Sequence, residues 1–152
     1  MALTINRLTE NDLAGLHKQI RNSVGHLPAL GWIEYSFWPE FRHHFRQLIK
    51  MPDLLIFVIR QDDQVIGAIE IEDRPDSYFI GYWVGINFRR KGIMRRCILD
   101  VIQHDLPLAK PCTARVDLAN TASIKLLEKL NFTETSRDAE YIYYIKPHST
   151  AG

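Results

Sequence analysis

The chain has 152 residues, 46% of them hydrophobic and 24% charged, with a formal net charge of +1. That length fits one domain that buries roughly 68–70% of its unfolded surface, and the near-neutral balance argues against general nucleic-acid binding. The apolar stretches are strand-sized, far short of the ~20 residues a membrane span needs. Cys97 and Cys112 make no disulfide framework and, with the scattered histidines, no metal cluster. The opening MALTINRLTEND lacks a charged-then-apolar export pattern, so a reducing, cytoplasmic setting is expected.

LTINRLT alternates apolar and polar residues, as a half-buried strand does. Thr9, with Asp12 three residues on, caps a helix carrying Leu13, Leu16 and Ile20. Gly25, Pro28 and Gly31 mark a loop. Pro39 suits the first turn of a second helix, in which Phe41, Phe45, Leu48 and Ile49 recur at helical spacing. LLIFVIR, the turn QDD and QVIGAIEIED predict a hairpin, and YFIGYWVGI a further strand. A helix follows with Met94, Cys97, Ile98, Val101 and Ile102 on one face. TARVDL is a short strand, Asn120 to Leu130 a helix burying Ala122, Leu126, Leu127 and Leu130, and FTETS and YIYYI are two closing strands. The order β-α-α-β-β-β-α-β-α-β-β implies an α/β domain over residues 1–147, with a mixed sheet and helices on both faces. Residues 148–152 read as a loose tail.

Between the third hairpin strand and its following helix lies FRRKGIMRRC, in which five of ten residues are cationic around Gly92. Three readings are open: a solvated helix start, a nucleic-acid patch, or a cradle for phosphates. A helix N-terminus presents free N–H groups and a positive dipole end, which suits an anion. Gly92 lets backbone approach closely, and Arg89, Arg90 and Lys91 add charge.

The block GYWVGINFRRKGIM resembles the acetyl-CoA-binding motif Q/R-x-x-G-x-G/A of the GNAT superfamily of N-acetyltransferases, with Arg89, Gly92 and Met94 at its three positions. Met94 departs from the usual small residue, as in the GKGIM loop of RimJ/RimL-type members. RNSVGHLPALGW and NTASIKLLEKLNF resemble two further blocks of that type, and the similarity spans about residues 3 to 145. It implies a splayed, mostly antiparallel sheet and acetyl transfer from acetyl-CoA to an amine, most simply a (ribosomal) protein N-terminus, in a ternary complex. A small-amine acetyltransferase and a catalytically weak acetyl-CoA-binding module are the alternatives. A homodimer is a further possibility through YIYYI.

The resemblance also implies roles. The backbone of Trp83, Val84 and Ile86 would hold the pantetheine arm, with the Val84 N–H polarising the thioester carbonyl. Arg89, Arg90, Lys91, Gly92, Ile93 and Met94 would hold the pyrophosphate. Asn120 matches a residue that contacts the cofactor arm, and as a residue type it also caps helices well. Ser123 matches a serine near the sulfur, while Leu127 stands where many members place a tyrosine acid. The sequence offers Glu70, Glu72 or Tyr82 as the general base, and His26, Glu34 and Tyr35 as an acceptor wall.

Overall fold

The computed structural model describes residues 2–23, 37–107 and 109–148. Within them the strands are β1 (Leu3–Arg7), β2 (Leu54–Gln61), β3 (Gln64–Asp73), β4 (Tyr78–Val84), β5 (Cys112–Asp117), β6 (Thr133–Arg137) and β7 (Tyr141–Lys146). The helices are α1 (Leu13–Ser23), α2 (Trp38–Ile49), α3 (Ile93–His104) and α4 (Thr121–Lys129). The element order expected from periodicity is the order observed. The seven strands form one sheet in the order β1-β2-β3-β4-β5-β7-β6, with β4 and β5 its parallel pair.

Local chemistry explains the elements. Asp62 and Asp63 both have positive φ, 50° and 68°, as the two-residue turn that matches strand twist requires. The buried carboxylate of Asp12 accepts the Thr9 N–H at 2.8 Å and ion-pairs with Arg60, so one side chain caps the entry to α1 and ties it to β2. Pro39 lies in the first turn of α2, where its missing N–H has no intrahelical partner to lose.

Two cores sandwich the sheet. Leu13, Leu16 and Ile20 of α1 and Phe41 and Phe45 of α2 pack with Val58, Ala68 and Trp83. On the other face Met94, Cys97, Ile98 and Val101 of α3 and Leu127 and Leu130 bracket Ile69, Ile71, Tyr78 and Ile80. Ala122, expected on the buried face of α4, is exposed. At 100° per residue it lies about 140° from Leu127 around the helix, off the stripe that Ile124, Leu127 and Leu130 define.

Candidate active site

The sheet opens at its parallel pair. The register of β4 with β5 consists of Tyr78↔Cys112 and Phe79↔Thr113. Beyond these, β4 follows β3 from Ile80↔Ile71 to Val84↔Gly67, while β5 follows β7 from Ala114↔Tyr144 to Asp117↔Tyr141. The two strands thus diverge, leaving one edge of Ile80–Val84 along a gap.

Backbone contacts fix the end of β4. Gly67 has no Cβ, and one built there would lie 2.4 Å from the Trp83 carbonyl oxygen. Gly85 N–H donates to Ile66 O at 2.8 Å, and Ile86 N–H donates to Ser23 Oγ at 3.0 Å. Because strand N–H groups alternate between edges, the Val84 N–H is directed away from β3, toward the gap. Its carbonyl accepts Arg89 Nε at 3.2 Å. Arg89 thus braces the strand end with its side chain, and burial lowers its pKa.

The cationic loop is shaped by handedness. Arg90 and Gly92 both have positive φ, 62° and 72°, with Lys91 between them. Alternating handedness turns successive N–H groups inward to a concave, anion-sized nest, here at the start of α3. A Cβ built on Gly92 meets no atom of the described residues within 4 Å beyond its chain neighbours, so they leave the space above the loop open. Ile93 and Met94 turn their side chains into the core. Met94 therefore does not crowd the loop, and its backbone stays available at the helix start. Arg90 and Lys91 are exposed around it.

Across the gap, Asn120 caps α4: its Oδ1 accepts the Ser123 N–H at 3.2 Å. Ser123 Oγ is hydrogen-bonded to the Tyr82 hydroxyl, joining α4 to β4. Burial pushes the Tyr82 phenol up to about 12; the nearby Tyr144 adds to the rise and the Ser123 hydrogen bond opposes it. Such a phenol keeps its proton throughout neutral pH. A phenol that keeps its proton can donate in this bond, a role that sets it apart from the general base expected of Tyr82. Leu127, one turn beyond Ser123, is buried at 1% exposure and fills core volume.

Glu70 lies on the opposite face, between Ile56 and Gly81 of the flanking strands. Burial, and then the charge of Glu72, holds its carboxyl above the usual carboxylate range. Among the described residues nothing stands within 4 Å of where a Gly81 side chain would be, so none of them crowds the approach to Glu70 over β4. Glu72 shares that face but is exposed, and Arg74 engages both of its oxygens, at 3.2 and 3.3 Å. Arg74 also stacks on Phe79, 4.2 Å from the ring centre, which holds the fork in place. His26, Glu34 and Tyr35 lie outside the described residues, as does most of RNSVGHLPALGW.

The structure therefore brings Tyr82, Ser123 and Asn120 together on one face of the sheet, sets Glu70 on the opposite face, and places the loop beyond the end of β4. Sequence reasoning missed Gly67, Ser23 and the bracing role of Arg89. Of these, Gly67 carried a signal, as a glycine inside an apolar strand marks close backbone approach.

A sheet split at one parallel pair, with an anion nest where the split strand enters a helix, defines an acyltransferase built for a CoA thioester. The model of the GNAT acetyltransferase domain matches residues 2–133, and the chain belongs to that family. It is an acetyl-CoA-dependent N-acetyltransferase. No curated protein sequence matches it significantly. Similar solved structures include a ribosomal-protein-S5-alanine acetyltransferase from Vibrio fischeri, 16% identical, with a TM-score of 0.82 over 99% of this chain and 95% of that one. The microcin C7 self-immunity acetyltransferase MccE, solved with acetyl-CoA and AMP, is 19% identical, with a TM-score of 0.84 over 95% and 92%. A spermidine N-acetyltransferase from Vibrio cholerae, described as dodecameric, is 18% identical, with a TM-score of 0.77 over 96% and 94%. At these identities the likeness is one of fold. Among the described residues no helix is long and apolar enough to cross a membrane, and no group of three His, Cys, Asp or Glu assembles.

Proposed function

We propose that the acceptor is a single α-amine, that of a protein N-terminus, and that Glu70 takes its proton. The observation that carries this reading is the unequal fate of two carboxylates on one face. Glu72 is paired with Arg74 and Asp73 with Lys110, so among the described residues Glu70 is the carboxylate of β3 without a cationic partner, beside Gly81. One carboxylate suits one amine; a polyamine would gain from several. An α-amine has a reference pKa of roughly 7.7–8.0 against ~10.4 for lysine, so a modest base suffices to deprotonate it.

The nest of Arg89 to Met94 fits the pyrophosphate of acetyl-CoA, and the edge of β4 fits the arm. When bound, the group supplies an acetyl thioester. The Val84 N–H meets the carbonyl oxygen as it gains charge, a contribution typically worth about 10²–10³ in rate. Glu70 removes the amine proton, directly or through water, which adds roughly 10²–10⁴. Asn120 holds the first turn of α4 so that Ser123 faces the leaving sulfur. Base and sulfur donor stand on opposite faces, so the amine enters from one and the thiolate departs toward the other.

The test is release of CoA thiol from acetyl-CoA with a panel of amines. Peptides with free α-amines are expected to react at least tenfold faster, by kcat/KM, than spermidine or an Nα-blocked lysine. Preference for spermidine would move the assignment to a small-amine enzyme, and no release with any amine would leave a binding module.

A further inference from the structure

The hydrogen bond between Tyr82 and Ser123 joins side chains 41 residues apart at the opening of the gap. The direction of this bond decides where the serine proton points. A phenol is far more acidic than an aliphatic alcohol, so it is the better donor, and the serine oxygen is the better acceptor. Among the described residues Ser123 Oγ has no second hydrogen-bond partner. The carbonyls one turn back accept amide N–H groups, Thr121 N–H to Ala119 O at 3.1 Å and Ile124 N–H to Asn120 O at 3.1 Å, and neither is in hydrogen-bond contact with Ser123 Oγ. The Ser123 proton is then left facing the gap.

We propose that Tyr82 is a positioning residue that directs and polarises the Ser123 hydroxyl, making it a fixed donor to the CoA sulfur. This rests on the thioester lying along the β4 edge, and not on the identity of the acceptor. In the transfer the amine nitrogen bonds to the acetyl carbon and the C–S bond breaks. The sulfur keeps the electron pair as thiolate, and the amine proton goes to Glu70 and on to solvent. Ser123 donates a hydrogen bond to that thiolate without surrendering its proton. Tyr82 is not the proton source: transfer from a phenol at about 12 to a thiolate of reference pKa ~8.5 is roughly a thousandfold uphill. A chain of two donors is polarised cooperatively, so each bond strengthens the next.

Few other ionisable groups bear on the pair. Tyr144 of β7 is itself raised by burial, Glu128 and Glu134. Cys97 and Cys112 in the same core are both pushed up to about 11 by burial and stay as thiols.

The test uses the free thiol of CoA bound to the intact protein, with no acceptor present, and follows thiolate absorbance against pH. Wild-type protein should raise the ionisation constant of bound CoA about tenfold over free CoA, one charge-assisted hydrogen bond's worth. Ser123→Ala should abolish that effect. Tyr82→Phe should reduce it at least threefold while CoA affinity at acid pH stays within twofold. The double variant should lose no more than Ser123→Ala alone, because Tyr82 acts through the serine. Should Tyr82→Phe melt early, Tyr82→Met is the second probe of the same loss. An unshifted thiol in wild type, a wild-type thiol in Tyr82→Phe, or additive losses would each overturn the proposal. Since no amine is used, a wrong acceptor would not disturb the result.

Discussion

Glu70 and Tyr82 lie on neighbouring strands yet on opposite faces of the sheet. The register sets Ile69 against Tyr82 and Glu70 against Gly81. Ile69 and Tyr82 face α3 and α4, while Glu70 shares its face with Ala68 and Trp83 below α1 and α2. One residue of pleat separates a carboxylate that wants to lose its charge from a phenol that keeps its proton.

The raised pKa of Glu70 has a consequence for stability. Because the folded state binds the Glu70 proton more tightly than the unfolded chain, this contribution is full below the ordinary carboxylate value, roughly 4.3, and is lost as pH rises through the raised folded value. Glu70→Gln, which stays neutral, should therefore melt higher than wild type at pH 8 and equal to it at pH 4. Thermal melts at the two pH values check this, and a lower melting point for the variant at pH 8 would contradict it.

Acetyl-CoA binding at the nest should depend on geometry more than on side-chain charge. At φ 72°, Gly92→Val is strained whatever space surrounds it, by about 1–2 kcal/mol, and its side chain enters the open space above the loop. Lys91→Ala removes one exposed charge. Calorimetric titration with acetyl-CoA should show at least a tenfold loss of affinity for Gly92→Val and less than threefold for Lys91→Ala.

Gly67→Ala would place a methyl group 2.4 Å from the Trp83 carbonyl oxygen, so β4 must shift away from β3. The overpacking should cost about 1–3 kcal/mol. Since Val84 moves with the strand, kcat should fall as well, and urea melts with steady-state rates on the same sample separate the two losses. A variant as stable and active as wild type would mean that the close approach carries no weight.

Asn120→Ala removes the α4 cap and should lower stability by about 1 kcal/mol. Its rate should fall further than that loss implies, because the first turn carries Ser123. Full kcat in the folded fraction would make the asparagine a cap and nothing more.

The strands, helices and cationic loop were legible because each is written in local periodicity or in one run of residues. Leu13, Leu16 and Ile20 recur as a buried helix face must, and Gly92 stands where the chain needs positive φ. The pairing of Tyr82 with Ser123 was not legible, since 41 residues separate them and only the fold brings the side chains to one point. Glu70 and Glu72 share a strand parity and read alike. Arg74, two residues on, folds back over Phe79 and occupies Glu72 alone. Ala122 misled because apolar character was counted without its angle around the helix.

The acid side of the kcat profile, measured for wild type and Glu70→Gln with a peptide bearing a free α-amine, tests the central claim most directly. Wild type should lose rate only as the Glu70 carboxyl becomes protonated. The variant should be slower by about a hundredfold, with its acid limb moved up toward the amine's own value of roughly 7.7–8.0. A variant that keeps the wild-type rate and the wild-type limb would show that Glu70 takes no proton, and that the enzyme works by positioning an already neutral amine.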